Sequence, residues 1–155
     1  MKKKRILITG IPGTGKTKTG GYFQSQYGYT HINLEEQDKI CALIQDPNKF
    51  IEQLLIEKKN VIVTWGFLPE EQGDVVKLFK ENGFLLVWFD GNRPAALREF
   101  IKRGTVSTNL FELQMERITS SNIVRKINPI IINTFNEKGI FKKQAQIARE
   151  IISKL

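Results

Sequence analysis

Residues 10–17 read Gly-Ile-Pro-Gly-Thr-Gly-Lys-Thr and match the phosphate-loop pattern G-x-x-x-x-G-K-[ST] at every fixed position. They directly follow the apolar run Arg5–Thr9 (RILIT), and a helix can open where they end. Few folds accommodate this. A chain of backbone N–H groups cradles an anion only when it is clamped between a buried strand and the positive end of a helix. Gly10, Gly13 and Gly15 permit backbone torsions that a side chain would obstruct, with Ile11, Pro12 and Thr14 between them. Lys16 is expected to reach the β- and γ-phosphates of a nucleoside triphosphate, and the Thr17 hydroxyl to ligate Mg²⁺. ATP with Mg²⁺ is the expected ligand, bound along Gly10 to Lys18.

The rest of the chain alternates in the way such a loop requires. After Arg5–Thr9 come the apolar runs Tyr29–Leu34, Asn60–Trp65, Phe84–Phe89 and Pro129–Thr134. Most are continuously apolar, as expected of parallel strands covered on both faces. The segments between them carry helix punctuation. Asp46-Pro47 reads as an N-cap with proline at the first helical position, followed by Phe50, Ile51, Leu54 and Leu55 on one face. Gly28, Gly83 and Gly104 sit where helices end. Glu70, Glu71 and Asp74 fall in the first turn of another helix, and Asn109 with Glu112 reads as a capping box. Phe141 to Ile152 predicts a last amphipathic helix, with Ile147, Ile151 and Leu155 on one stripe. The expected fold is therefore an α/β three-layer sandwich around a parallel sheet.

Composition narrows the classes without naming one. A chain of 155 residues, 41% hydrophobic and 26% charged, is read as one domain spanning 1–155. No apolar run approaches the ~20 residues of a membrane span, so no membrane partner is expected. The basic start Met1–Arg5 is followed by too short an apolar stretch for a secretory signal. Cys41 stands alone, which fits a reducing cytoplasm, and reads as a small core residue on a helix. The net charge of +8 favours anionic partners, from phosphorylated metabolites to nucleic acid, or describes a solvated basic surface.

GIPGTGKT, with proline third in the loop, resembles the small phosphate-loop kinases: nucleoside monophosphate kinases, shikimate and gluconate kinases and their relatives. TWGFLP (Thr64–Pro69) resembles the D-G-F-P segment of adenylate kinases and the D-W-G-F-like segment of related kinases. Asn33-Leu34-Glu35 falls where shikimate kinases place D-x-D, and FDGNRPAALREFIKRG (Phe89–Gly104) resembles the fourth strand and the Arg-bearing helix before a lid. The resemblance implies a five-stranded parallel sheet of order 2-3-1-4-5, a short lid at Gly104–Asn109 and an adenine site along Phe135–Gly139. It also implies transfer of a γ-phosphoryl group to a small-molecule or nucleotide acceptor. No N-K-x-D guanine-reading motif and no hhhhDE segment is present, which argues against a GTPase and an AAA+ ATPase.

Two positions depart from the family pattern. Thr64 and Asn33 stand where carboxylates are expected. Glu35 keeps the second acidic position, where it serves the acceptor hydroxyl or simply opens a solvated helix with Glu36 and Asp38. Asp90 reads as an N-cap rather than a metal ligand. Arg98 and Arg103 precede the lid, and Arg117 follows Glu112 with the spacing E-x-x-x-x-R. Guanidinium groups there stabilise charge on a transferring phosphoryl group, although Arg103 also has Glu99 as an i,i+4 partner. His31 reads as a packing residue, and Trp65 and Phe67 as core residues or as walls of an acceptor pocket. The leading expectation is an ATP-dependent small-molecule kinase using Lys16, Glu35, Arg103 and Arg117. A nucleotide-binding module and a kinase or ATPase acting on nucleic acid remain as alternatives.

Overall fold

The computed structural model describes residues 2–56, 59–104 and 108–155. The strands are β1 (Arg5–Gly10), β2 (Thr30–Asn33), β3 (Val61–Thr64), β4 (Leu85–Asp90) and β5 (Ile130–Asn133). They form one parallel sheet of order β2-β3-β1-β4-β5, as expected. The central strand β1 buries Ile6, Leu7 and Ile8 completely, because both of its faces are covered.

The helices are α1 (Lys16–Tyr27), α2 (Gln37–Gln45), α3 (Pro47–Ile56), α4 (Pro69–Glu81), α5 (Arg93–Lys102), α6 (Thr108–Ser121), α7 (Ile123–Ile127) and α8 (Gln144–Ile152). They form two layers. On one face, Ile6, Ile8, Ile62, Val87 and Phe89 pack with Phe23 of α1 and with Ile147 and Ile151 of α8. On the other, Leu7, Val63, Leu86 and Trp88 pack with side chains of α2 through α7, among them Leu43, Ile51, Phe79 and Phe111. No helix among the described residues is long and apolar enough to cross a membrane.

Local chemistry sets most boundaries. The Asp46 carboxylate accepts from Lys49 N at 3.1 Å ahead of Pro47, the expected start of α3. Gly28 and Gly83 lie at helix ends with φ of 69° and 84°. Several expectations are corrected. Asp74 lies in the second turn of α4, since Pro69 opens that helix. Asn109 is inside α6, which already includes Thr108, so it is no cap; residues 105–107 of the expected lid lie outside the described residues. The last helix starts at Gln144, because Phe141 is held in a bridge to Phe135. Leu155 lies past its end and is exposed. Cys41 is on a helix but exposed, with Leu43 taking the core position of α2.

Candidate functional site

All strands of a parallel sheet end at one edge, and the loops there converge on a cavity of about 870 Å³. Its floor is the loop between β1 and α1. The loop is held by hard contacts: Ile11 N donates to Phe89 O at 3.0 Å, and the buried Thr14 hydroxyl donates to Ile11 O at 2.7 Å. Gly10 lies so close to β4 that a Cβ would overlap the Phe89 backbone. Gly13, at φ 76°, would likewise overlap the Ala96 carbonyl of α5. Gly15 precedes the first turn of α1, so the positive end of that helix faces the cavity. Gly10, Pro12, Gly15, Lys16, Thr17 and Lys18 line the cavity, whereas Ile11, Gly13 and Thr14 are buried and shape the loop from behind.

Lys16 folds back on the loop, its Nζ donating to Ile11 O at 2.9 Å. Burial is the largest influence on this amine and pulls its pKa from 10.5 to about 8. The nearby Glu35 carboxylate opposes that shift and the Arg103 guanidinium adds to it. Glu35 and Arg103 therefore both act on Lys16 across the cavity.

Glu35 is not merely an exposed helix start. Its Oε1 accepts from Gly66 N at 2.9 Å, while Asn33 Oδ1 accepts from Glu35 N at 3.0 Å in an Asx turn. Glu36 takes the cap position of α2 and Asp38 its first turn. A Cβ at Gly66 would lie 2.8 Å from Glu35 Oε1 and 3.9 Å from Lys16 Cε. Sequence reasoning missed Gly66, although it sits within TWGFLP; only its approach to Glu35 in space marks it out.

Arg103 and Arg117 both line the cavity. The expected pairing of Arg103 with Glu99 is not made, because Glu99 pairs with Lys102 at 3.0 Å. Arg98 does not line the cavity and lies near Gly139 instead. Asp90 accepts from Gly91 N, and the N-cap of α5 is Asn92, which accepts from Ala95 N at 3.0 Å. Trp65 is core, while Phe67 is buried but reaches the cavity wall. Thr64 is absent from the cavity lining. Its hydroxyl is 2.9 Å from His31 Nε2, with burial holding His31 below its ordinary pKa. His31 is thus a hydrogen-bonded partner of Thr64 as well as a packing residue. Beside the ends of β4 and β5 is a second hollow of about 480 Å³, lined by residues including Asp90, Asn92, Phe135 and Glu137.

Neither a protein-family model nor a curated protein matches the sequence. Solved structures do match, along nearly the whole chain. A gluconokinase from Sinorhizobium meliloti 1021 superposes with a TM-score of 0.61 at 18% identity, covering 97% of this chain and 90% of its own. A shikimate kinase from Bacteroides thetaiotaomicron gives 0.65 at 16% identity, covering 97% and 98%. The fold is that of the small P-loop kinases. A Deinococcus radiodurans tunicamycin resistance protein also shares it, with a TM-score of 0.67, 16% identity and coverage of 99% and 95%. At these identities a small P-loop kinase fold is what the likeness carries, since one fold hosts many acceptors.

Proposed function

We propose that this chain is an ATP- and Mg²⁺-dependent phosphotransferase acting on a small-molecule acceptor. The observation that carries the reading is the opposition of Lys16 and Glu35 within one cavity, with the Gly66 amide holding the carboxylate. A phosphate-binding loop alone suits any nucleotide binder; a carboxylate tied down beside its lysine suits a second substrate. Lys16 and the loop amides hold the phosphates, and Arg103 and Arg117 neutralise charge that builds on the transferring group. Glu35 orients the acceptor hydroxyl and takes its proton. The base and ribose extend toward Phe141 and the hollow along Phe135–Gly139. The protein works as a single domain of the cytoplasm.

The donor set fits Mg²⁺ brought in with the nucleotide. Thr17 offers one exposed hydroxyl on the cavity, and Mg²⁺ commonly completes its shell with phosphate oxygens and water. Among the described residues no cluster of His, Cys, Asp or Glu could hold a resident metal. When bound, the ion would offset charge on the phosphate oxygens.

A second reading, a nucleotide-binding module with slow hydrolysis at most, is favoured by Thr64. Its hydroxyl is committed to His31 and supplies nothing to the cavity. Incubation with γ-labelled ATP, Mg²⁺ and pooled metabolites, nucleosides and nucleotides separates the two. Label entering an acceptor supports the kinase; ATP binding with neither transfer nor hydrolysis leaves the module. Transfer to an oligonucleotide, lost at high salt, would instead mark a nucleic-acid kinase.

A further inference from the structure

Much of the positive charge of the chain lies away from the cavity, at the edge where the strands begin. Residues 2–5 enter β1, 59–60 precede β3, 80–83 link α4 to β4 and 126–129 link α7 to β5. Close contacts tie these segments into one row. Lys4 N donates to Asn60 Oδ1 at 2.9 Å, and Val61 N donates to Lys4 O at 3.0 Å. The Arg5 guanidinium lies beside Gly83, where a Cβ would be 3.8 Å from its Nη1. Lys80 Nζ donates to Ile127 O and Asn128 O, each at 3.0 Å. The row thus follows the strand order β3-β1-β4-β5, about 14 Å over three strand spacings.

The four segments hold seven cations against one carboxylate, Glu81. Lys80 is spent on the carbonyls that end α7. Among the described residues, none of the other six takes part in an ion pair. Lys2, Lys4, Lys59 and Lys126 are exposed. Their mutual repulsion is a cost that an opposing polyanion removes.

An aromatic ring stands beside the row. Thr30 N donates to Asn60 O at 2.8 Å, which draws the turn between α1 and β2 against it. Tyr27, at the end of α1, rests on Phe23 with ring centroids 5.3 Å apart and is still 43% exposed. A fixed, exposed ring next to cations suits a base that stacks and phosphates that pair. A bilayer would call for exposed aliphatic side chains, and Ile127, the one Leu, Ile or Val in the four segments, is buried.

We propose that this edge docks single-stranded nucleic acid, with its phosphates along the cation row and a base on Tyr27. The strand binds behind the main cavity, about 20 Å away across the length of β1. Docking there needs no kinase activity and leaves the nucleotide site open.

Fluorescence anisotropy of a labelled oligouridylate of about 12 nucleotides, with the full chain, tests the surface. With about four phosphate contacts, affinity should fall about 50-fold between 50 and 200 mM salt. Saturating ADP·Mg²⁺ should change it less than about twofold, because the two sites are separate. Lys2→Gln, Lys4→Gln and Lys59→Gln together should weaken binding about tenfold or more. The same charge removed as Lys39→Gln, Lys49→Gln and Lys143→Gln should cost less than about threefold. Tyr27→Ala should weaken binding about fivefold or more, whereas Tyr27→Phe keeps the ring and the affinity. Several outcomes overturn the proposal: no oligonucleotide binding, whether or not phosphatidylserine vesicles bind; displacement by ADP·Mg²⁺; equal losses in the two triple variants; or full affinity in folded Tyr27→Ala.

Discussion

The Gly66 amide and the Glu35 carboxylate, 2.9 Å apart, join the loop after β3 to the turn after β2. This bond keeps a negative charge near Lys16, where it opposes the effect of burial on the amine.

Removing that charge should therefore move Lys16. In Glu35→Gln the Lys16 pKa is expected to fall further below about 8. Gly66→Ala, whose Cβ would crowd Glu35 Oε1, should act in the same direction, and Arg103→Ala in the opposite one. NMR titration of labelled lysine reads all of these shifts. An unmoved Lys16 in Glu35→Gln would mean that the carboxylate does not face it.

The depressed pKa of Lys16 also has a pH signature. The folded protein releases this proton near 8, the unfolded chain near 10.5, so burial of the cation is a cost at neutral pH. The cost is relieved as pH rises through that window, because there the unfolded state binds more protons. The stability advantage of Lys16→Met over wild type should accordingly shrink from pH 7 to pH 10 in urea unfolding. Bound as proposed, ATP would pair with the ammonium form, and its affinity should decline above about pH 8. Calorimetry of Lys16→Ala at pH 7 should show ATP·Mg²⁺ binding weakened about 10- to 100-fold with folding intact.

The cavity arginines should separate binding from turnover. Arg103→Ala and Arg117→Ala are expected to lower the rate of phosphoryl transfer by about a hundredfold or more. ATP affinity should change by less than about threefold, since they act on charge that develops later. Unchanged rates in both would remove them from the chemistry.

Behind the site, His31 lies between Thr64 and α1. A Cβ at Gly20 would overlap the His31 ring, so Gly20→Ala should destabilise the protein by about 1–3 kcal/mol despite better helix propensity. Thr64→Asp would place its carboxylate next to His31 rather than at the cavity. In wild type the folded pKa of His31 lies below 6.5, so its contribution is present above 6.5 and lost as pH falls through the folded value. In Thr64→Asp the folded pKa should rise above 6.5. The contribution would then be complete below 6.5 and lost as pH rises through the new value. Histidine NMR and urea unfolding between pH 5 and 8 test the inversion.

What could be read from residues alone was local or periodic. The strand–loop–helix turn around residues 10–17, the strand runs around Ile6–Ile8 and Val61–Val63, and the Asp46 cap follow from short-range chemistry, and all are present. The sheet order came through resemblance and agrees with the structure. Where reading failed, a side chain had more than one available partner or face, and packing made the choice. Phe141 leaves the helix pattern to stack on Phe135, with ring centroids 4.2 Å apart. Glu99 prefers Lys102 to Arg103. Cys41 faces out because Leu43 takes the inward side of α2. Gly66 carries no signal of its own until the chain folds Glu35 against it.

Gly13 rests on the Ala96 backbone with no side chain between them, and the same helix, α5, leads to Arg103. Neither loop nor helix has a soft layer into which it could yield. The receptacle is therefore cast before anything enters it. A phosphate bound as proposed would spend little of its binding energy on ordering the loop backbone, and would need only Lys16 to turn from Ile11 O. A side chain at position 13 would accordingly have to push α5 aside, and with it the helix that leads to Arg103.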